Sequence, residues 1–471
     1  MNRPGLAVLA SPLPGTRWYF AAQAAGAGAQ QLLYILNPNA VPAPVTFTYY
    51  RGHTAALLSA RLIIPAASTA VEDVGADIGP LSDQGVSIVV NSPRVISVAR
   101  VLRRAGTGRA ILNADITPGV MAPARQWLFA EGYIGLTYHE YLTLFNPNPA
   151  SARVTVRFAP QGVSVPAIAP VTLVVPALGQ ALLDVGRAYR RASVKSVGLR
   201  VTSDAPVVAA RTLYWGQSLG RSQFGADARA GAPAASTNWD FAGVSVAGDD
   251  QPFLTVLAPR GAAHVTAWLH AADGRLLATL RMRVESGRRA TLRLLIRQQA
   301  GLGPFGVTVR ADTPVVAEMP QYNAGSPNVT HHAGDVITGV IGGARYAHLP
   351  YLNTTGHAVA DLIDVYNPGQ SPLNVTVAGF TNRGRQATAH LVVDGGHTAL
   401  YDVARLGLPR GVLGATLTAD GPFVAYAQGA AGAAAEFLSE PAIPLVHLHN
   451  RAWDGYAKGR PPEWSCWRTT R

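Results

Sequence analysis

The sequence predicts an all-β protein: four tandem immunoglobulin-like antiparallel β-sandwich modules in an elongated array. Three observations lead there. A proline-marked strand end recurs at a fixed interval. A second proline marker keeps step with the first. Between them lie short, alternating apolar runs cut by turn residues.

The first marker is an apolar run closing in Asn-Pro: YILNPNA with Pro38, LTLFNPNPA with Pro147 and LIDVYNPGQ with Pro368. A variant, LTVLAPRGA, carries Pro259, so the four prolines lie 109, 112 and 109 residues apart. The second marker reads VVNSPRVISVAR, VTSDAPVVAARTLYW, VRADTPVVAEMPQY and LTADGPFVAYAQG. Its prolines, Pro93, Pro206, Pro314 and Pro422, are spaced by 113, 108 and 108. Near the start of the first three copies stand Trp18, Trp127 and Trp239, each with a Phe two residues on; the fourth copy has only YAHLPYL. Markers that keep step over four copies identify a repeated structural unit.

Within each copy the same grammar follows. After the first proline comes an alternating run: VTFTYY, VTVRF, HVTAWLH or LNVTVAGF. A turn leads to LIIPAASTAVEDV, LVVPALGQALLDV, MRVESGRRATLRLL or LVVDGGHTALYDV. Then come GVSIVV, GLRVTS, GVTVRA or GATLTA, the second proline and a last apolar strand. Period-2 alternation with Gly, Pro, Asn and Asp at the joints describes short strands rather than helices. LIRQQAG after Leu294 is the nearest candidate for a helical turn. Six or seven strands per copy suit a two-sheet sandwich. Module limits fall at 17–108, 126–217, 238–325 and 345–432. Residues 1–16 form an N-terminal extension, 433–471 a non-repeated tail, and the segments around 105–125, 217–237 and 326–344 read as linkers rich in Gly, Ala, Ser and Pro.

The recurrent residues read as turn and core elements. Asn37, Asn146 and Asn367 end strands that the following proline cannot extend, and their side chains are placed to close Asx-turns. Asp204, Asp312 and Asp420, with Asn91 in module one, precede the second proline by two and read as the same device at a strand-to-strand joint. Calcium between modules would need six to eight oxygens, and each joint offers one carboxylate. Trp18, Trp127 and Trp239 share one slot, which points to plugs of the core rather than ligand platforms.

Bulk composition narrows the class further. A chain of 471 residues suits three or four β domains, and 48% hydrophobic content suffices to fill their cores. The net charge is +12, yet only Lys195 and Lys458 are lysine, and no basic run exceeds Arg-Arg. Codon usage in a GC-rich genome and attraction to an anionic polymer or surface are the two readings of that arginine excess. Specific nucleic-acid binding, which concentrates its basic residues on one face, is not expected. Cys466 is the one cysteine, so no intrachain disulfide forms. No apolar run reaches the 18 or so residues of a membrane-spanning helix. The start, MNRPGLAVLASPLPG, is too short and proline-broken for a secretory apolar core.

No catalytic, cofactor or metal site is predicted. Gly-x-Ser-x-Gly, His-Glu-x-x-His, a P-loop and paired Cys/His spacings are all missing. His53, His139, His264 and His270 share no slot. His331 and His332 with Asp335 are the sole metal alternative, and adjacent histidines on a strand face opposite ways. Cys466 has no evident base. The tail mixes Trp453, Tyr456, Trp464 and Trp467 with Arg451, Lys458, Arg460, Arg468 and Arg471. Its run PLVHLH could add to a sheet edge of another subunit, or the tail folds back on module four.

With the repeat written out, the chain resembles bacterial tandem-repeat surface proteins whose units run from Trp-Phe-Ala-Glu-Gly through Asn-Pro-Asn to Pro-Val-Val-Ala-x-Arg. Module two matches best, in WLFAEGYIG, EYLTLFNPNP and SDAPVVAARTLYWG. The resemblance covers nearly all of 17–432 and implies an extracellular or cell-surface, non-enzymatic protein. The expected role is structural or adhesive: a rod that assembles into a filament, sheath or surface layer with itself or other surface proteins, in part through the tail. An array binding anionic polysaccharide is the alternative, and a metal-dependent enzyme using His331 and His332 the remote one.

Overall fold

The computed structural model describes residues 5–9 and 15–430, except loop positions 23–28, 53–55, 80–84, 106–110, 136–137, 163, 166–167, 190–194, 218–221, 245–249, 295–303, 324–332 and 355–361. After β1 (Gly5–Leu9), module 1 comprises β2 (Gly15–Phe20), β3 (Ala29–Asn37), β4 (Ala43–Tyr50), β5 (Leu58–Ile64), β6 (Ser68–Asp73), α1 (Val74–Ile78), β7 (Ser87–Ala105) and β8 (Ile111–Pro118). Module 2 comprises β9 (Ala124–Phe129), β10 (Tyr138–Asn146), β11 (Ala152–Pro160), β12 (Val171–Val175), β13 (Gly179–Asp184), α2 (Val185–Tyr189), β14 (Val197–Gln217) and β15 (Ser222–Ala230). Module 3 runs through β16 (Ser236–Val244), β17 (Asp250–Ala258), β18 (Ala263–His270), β19 (Leu276–Val284), β20 (Arg288–Arg293), β21 (Phe305–Asn323) and β22 (Ala333–Thr338). Module 4 holds β23 (Ala344–Asn353), β24 (Leu362–Tyr366), β25 (Leu373–Thr381), β26 (Gln386–Val393), β27 (Thr398–Asp402), a short 3-10 turn and β28 (Val412–Ala430).

The expected all-β fold of four antiparallel sandwich modules is what the chain adopts, with seven strands to each module. One detail of the strand plan differs. The two strands expected either side of the second proline are a single strand of 19 to 21 residues. In module 1 the first part of β7 pairs with β2 and β4, and the second part with β3 and β8. Pairing with β4 stops at Asn91 and pairing with β3 starts at Ser97, so Pro93 sits where the ladder is interrupted. Pro206, Pro314 and Pro422 occupy the same gap. A residue without an N–H fits there, and the chain crosses from one sheet to the other.

The marker side chains hold that crossing. Trp18, Trp127 and Trp239 are buried in the cores, as expected, and their indole N–H groups donate to the carbonyls of Ile96, Val207 and Val315 just past the crossing. Ala347 takes the slot in module 4. The Asx-turns at Asn37, Asn146 and Asn367 are present: each Oδ1 accepts from the backbone N–H two residues on. Each Nδ2 also donates across to the strand end of the opposite sheet, at Ile64, Val175 and Val393. Asp204, Asp312 and Asp420 depart from expectation. Their carboxylates close no turn of their own but accept from the N–H of Arg153, His264 and Asn374, at the start of the neighbouring strand in the same sheet. Asn91 instead accepts from Arg17 Nε.

The module arrangement is where expectation and structure part. An elongated array was expected; the chain closes into a ring. The first strand, β1, lies antiparallel to β28, from Gly5 opposite Ala430 to Leu9 opposite Tyr426, and so supplies module 4 with its seventh strand. Residues 5–9 are therefore no extension. Nor are the three linkers connectors alone: β8, β15 and β22 within them are the seventh strands of modules 1, 2 and 3. These strands and β1 touch in succession around one axis, β8 on β15, β15 on β22, β22 on β1 and β1 on β8. Neighbouring modules pack all the way round, module 4 on module 1 included.

Closure explains a sequence feature that a rod would leave exposed. The strand before each first proline is apolar on both faces. Leu33 and Ile35 enter the core of module 1, while Leu32, Tyr34 and Leu36 face module 4, with Tyr34 edge-on to Tyr351 at 4.4 Å. Phe145 meets module 1 beside Tyr50, and Tyr366 enters the apolar cluster of module 3. A continuous apolar strand signals burial on both sides. The linker glycines have a matching cause. A Cβ on Gly119, Gly231 or Gly339 would lie 2.7 Å from the ring of Phe20, Phe129 or Phe241.

Candidate functional site at the ring axis

The candidate site is built by three aspartates that the register places alike. Asp115 on β8 lies opposite Leu102, Asp227 on β15 opposite Leu213, and Asp335 on β22 opposite Gln321. In β1 the corresponding position is Leu6, opposite Gly429. The seventh strands of modules 1, 2 and 3 each bring one aspartate to the axis, so oxygens of the three carboxylates lie within 4.8 Å of one another, all buried.

Like charges this close in a protein interior need a compensating cation. Arg229, two residues after Asp227, supplies it: Nε donates to Asp227 Oδ1 at 3.0 Å and Nη2 to Asp335 Oδ1 at 2.5 Å. Asp115 accepts from Thr117 Oγ1 at 2.7 Å. On the other side of Asp227, Arg211 donates Nη2 to Oδ2 at 2.9 Å and Nη1 to Glu318 Oε2 at 3.2 Å. A hard divalent ion of the calcium type takes six to eight oxygens. Here a guanidinium already occupies the donor set, so the cluster fits an internal ion-pair brace.

The brace extends along the junction of modules 2 and 3. Arg211 Nη1 also donates to the Glu131 carbonyl at 2.5 Å, and Glu318 accepts the Glu131 N–H at 2.6 Å. The Glu131 carboxylate pairs with Arg289 of module 3 at 2.9 Å, and Arg289 further donates to the Gly132 carbonyl at 2.6 Å. A Cβ on Gly132 would lie 2.1 Å from the Val197 carbonyl, so only glycine lets the backbone approach. Glu131 and Gly132 are thus an intermodule clasp. Arg211 also lies over the Phe129 ring at 5.9 Å, and its counterpart Arg100 lies over Phe20 at 5.4 Å. The opening and closing motifs of the repeat meet in space.

Six carboxyls (Asp115, Asp227, Asp335, Glu131, Glu140, Glu318) face four guanidiniums (Arg100, Arg211, Arg229, Arg289), and none of the ten is more than 8% exposed. Burial pushes several of these acids toward their protonated forms. Burial, only partly offset by Arg211, raises Glu140 to about 8, and neither of its oxygens has a hydrogen-bond partner. Asp335 is raised mainly by burial, against the pull of Arg229 and with a push from Asp227. Burial lowers Arg100 to about 10, whereas the carboxylates of Glu318 and Asp227 outweigh burial and raise Arg211. At the junction of modules 3 and 4, Asp364 is fully buried and raised well above the carboxylate range by burial.

These shifts fix the sign of a pH effect. An acid raised on folding binds more protons in the folded than in the unfolded chain, so its contribution is complete below about pH 4 and is lost as pH rises through the folded value. The melting temperature is therefore expected to fall between pH 5 and pH 8. Glu140→Gln, which mimics the protonated acid, should flatten that fall and raise stability at pH 8. Thermal unfolding of both proteins across that range tests this; a flat wild-type profile, or an unchanged slope in the variant, would sink the assignment.

Of the residues singled out in the sequence, Asp335 alone reaches the axis. His331 and His332, the tail with Cys466, His53 and the LIRQQAG segment lie outside the described residues. His264 is exposed and pairs with Asp312, and His270 bonds the Tyr366 hydroxyl at 2.9 Å. The acidic members Asp115 and Asp227 and the arginines were not anticipated. One signal was present: Asp115, Asp227 and Asp335 are spaced by 112 and 108, in step with the repeat.

A model for a family of unknown function, DUF5719, matches residues 3–295. No curated protein matches the chain. Among solved structures, Thermotoga maritima 1070 aligns at 19% identity over 23% of this chain and 94% of its own, with a TM-score of 0.20. A tetra-tandem repeat from the extending region of a large adhesion protein aligns at 12% identity over 91% and 99%, with a TM-score of 0.11.

Proposed function

The chain belongs to DUF5719, a family of unknown function, and on that premise we propose that it is a non-enzymatic structural or adhesive protein of the bacterial cell surface. The observation that carries the reading is the use made of its charged residues. The buried acids and arginines at the axis are bound to one another across modules, where they brace the ring. Fold and chemistry alike then serve as scaffold, in keeping with the resemblance to surface repeat proteins. The rod first expected becomes a closed ring, and contacts with other copies or surface proteins through 433–471 belong to the same proposal. No helix among the described residues is long and apolar enough to cross a membrane.

Asp335, named in the metal-enzyme alternative, is paired with Arg229, which favours the scaffold reading. Anionic polysaccharide as a partner keeps specific support in the arginine placement taken up below. Immunogold labelling of intact bacterial cells, with electron microscopy of the purified protein, tests the scaffold reading. Surface label and four-lobed rings are expected; label confined to the cytosol would overturn it.

A further inference from the structure

Three guanidinium side chains gather on the outward sheet of module 2, beside module 3. Arg157 on β11 and Arg200 on β14 are direct cross-strand partners, which sets their Cβ atoms about 5 Å apart. Arg200 Nη1 reaches the Pro259 carbonyl at 3.4 Å, in the turn between β17 and β18 that carries Arg260. Arg157 and Arg260 are exposed and Arg200 is half-buried, with its Nε sealed from water and unpaired. Burial, then Arg260 and Arg157, lower the Arg200 pKa. Among the described residues none of the three has a carboxylate at ion-pair distance, although Arg310, Arg275 and Arg283 nearby in the chain each do.

Opposed like charges destabilise a sheet, so this arrangement needs a reason other than folding. The fold does not demand it. The same pair of positions holds Val89 and Thr48 in module 1, Thr308 and Trp268 in module 3, and Thr416 and Ala378 in module 4. The next row on this face is uncharged and hydrogen-bonding throughout: Gln126, Thr202, Thr155 and Thr172, paired in that order.

We propose that Arg157, Arg200 and Arg260 bind the carboxylate or sulfate groups of an acidic polysaccharide, with the threonine row meeting the sugar hydroxyls. Guanidinium forks match such oxyanions in geometry and keep their charge. No aromatic ring stands in either row to stack a nucleobase, which separates this surface from a single-strand binding groove. The assignment rests on the scaffold reading and names a ligand class for it.

The test uses the full chain with dextran sulfate, polygalacturonate, neutral dextran and single-stranded DNA as probes. Arg157→Gln/Arg200→Gln/Arg260→Gln is compared with Arg61→Gln/Arg281→Gln/Arg293→Gln, which removes the same charge elsewhere. The site variant should lose on the order of tenfold or more in affinity for one or both acidic polymers, which also tells sulfate from carboxylate. The control should stay within about twofold. Relief of the opposed charges should leave the melting temperature unchanged or higher, so lost binding cannot be misread as unfolding. Equal loss in the control, equal retention of neutral dextran, or DNA binding with the same dependence on the three arginines would overturn the proposal. A site variant that binds normally removes the site and leaves the scaffold reading to the labelling experiment.

Discussion

Removal of residues 1–14 is expected to open the ring and cost on the order of 5 kcal/mol, about one for each hydrogen bond of a five-residue strand. Without β1 the second half of β28 becomes a free edge, and the charge hub loses one wall of its enclosure. The loss falls on one module of four. Module 4 should therefore melt in a separate, earlier transition, where the intact ring unfolds with coupled modules. Calorimetry of the shortened and full chains reads this directly. A synthetic peptide of residues 1–14 added in trans should move the early transition back upward. One unshifted transition in the shortened chain would show that β1 is dispensable and that the ring is held by module packing alone.

Arg211→Met is expected to cost about 3–5 kcal/mol, because it strands buried carboxylates rather than because it removes attraction. Glu318 would lose its only cationic partner at ion-pair distance among the described residues, while Asp227 would keep Arg229. The double variant Arg211→Met/Glu318→Met should therefore recover a substantial part of the loss, since it removes the orphaned charge along with the cation. The measurement is thermal or denaturant unfolding of the single and double variants. Additive losses would refute the coupling, and a near-neutral single variant would show that the hub is solvated.

These two experiments bear on features that differ in how far they could be read in advance. The strand plan was legible because its causes are local. Alternation such as VTFTYY exposes one face and buries the other, and the Asn-Pro steps end pairing wherever they occur. Trp127 and Asn146 were assigned correctly, as core plug and turn, from type and position. β8, β15 and β22 were not recognised, since their Gly, Ala and Asp content is that of a linker. They form strands because each long strand offers an unpaired edge beside them. Arg211 was legible as the arginine of the Pro-Val-Val-Ala-x-Arg motif but its buried partners were not, although its place inside the apolar run VVAARTLYW already hinted at them.

The sequence by itself determined the repeat, most of the strands of each module and the Asn-Pro turns, because these depend on neighbours a few residues apart or on a period that can be counted. Only the tertiary structure decided that four modules make a ring. Closure joins Gly5 to Ala430, and a five-residue GLAVL carries no local mark of a partner so distant along the chain. It likewise decided that Asp227 and Asp335 share one buried guanidinium beside Asp115, because buried charge is tolerable only where folding brings its counter-charge within hydrogen-bond reach.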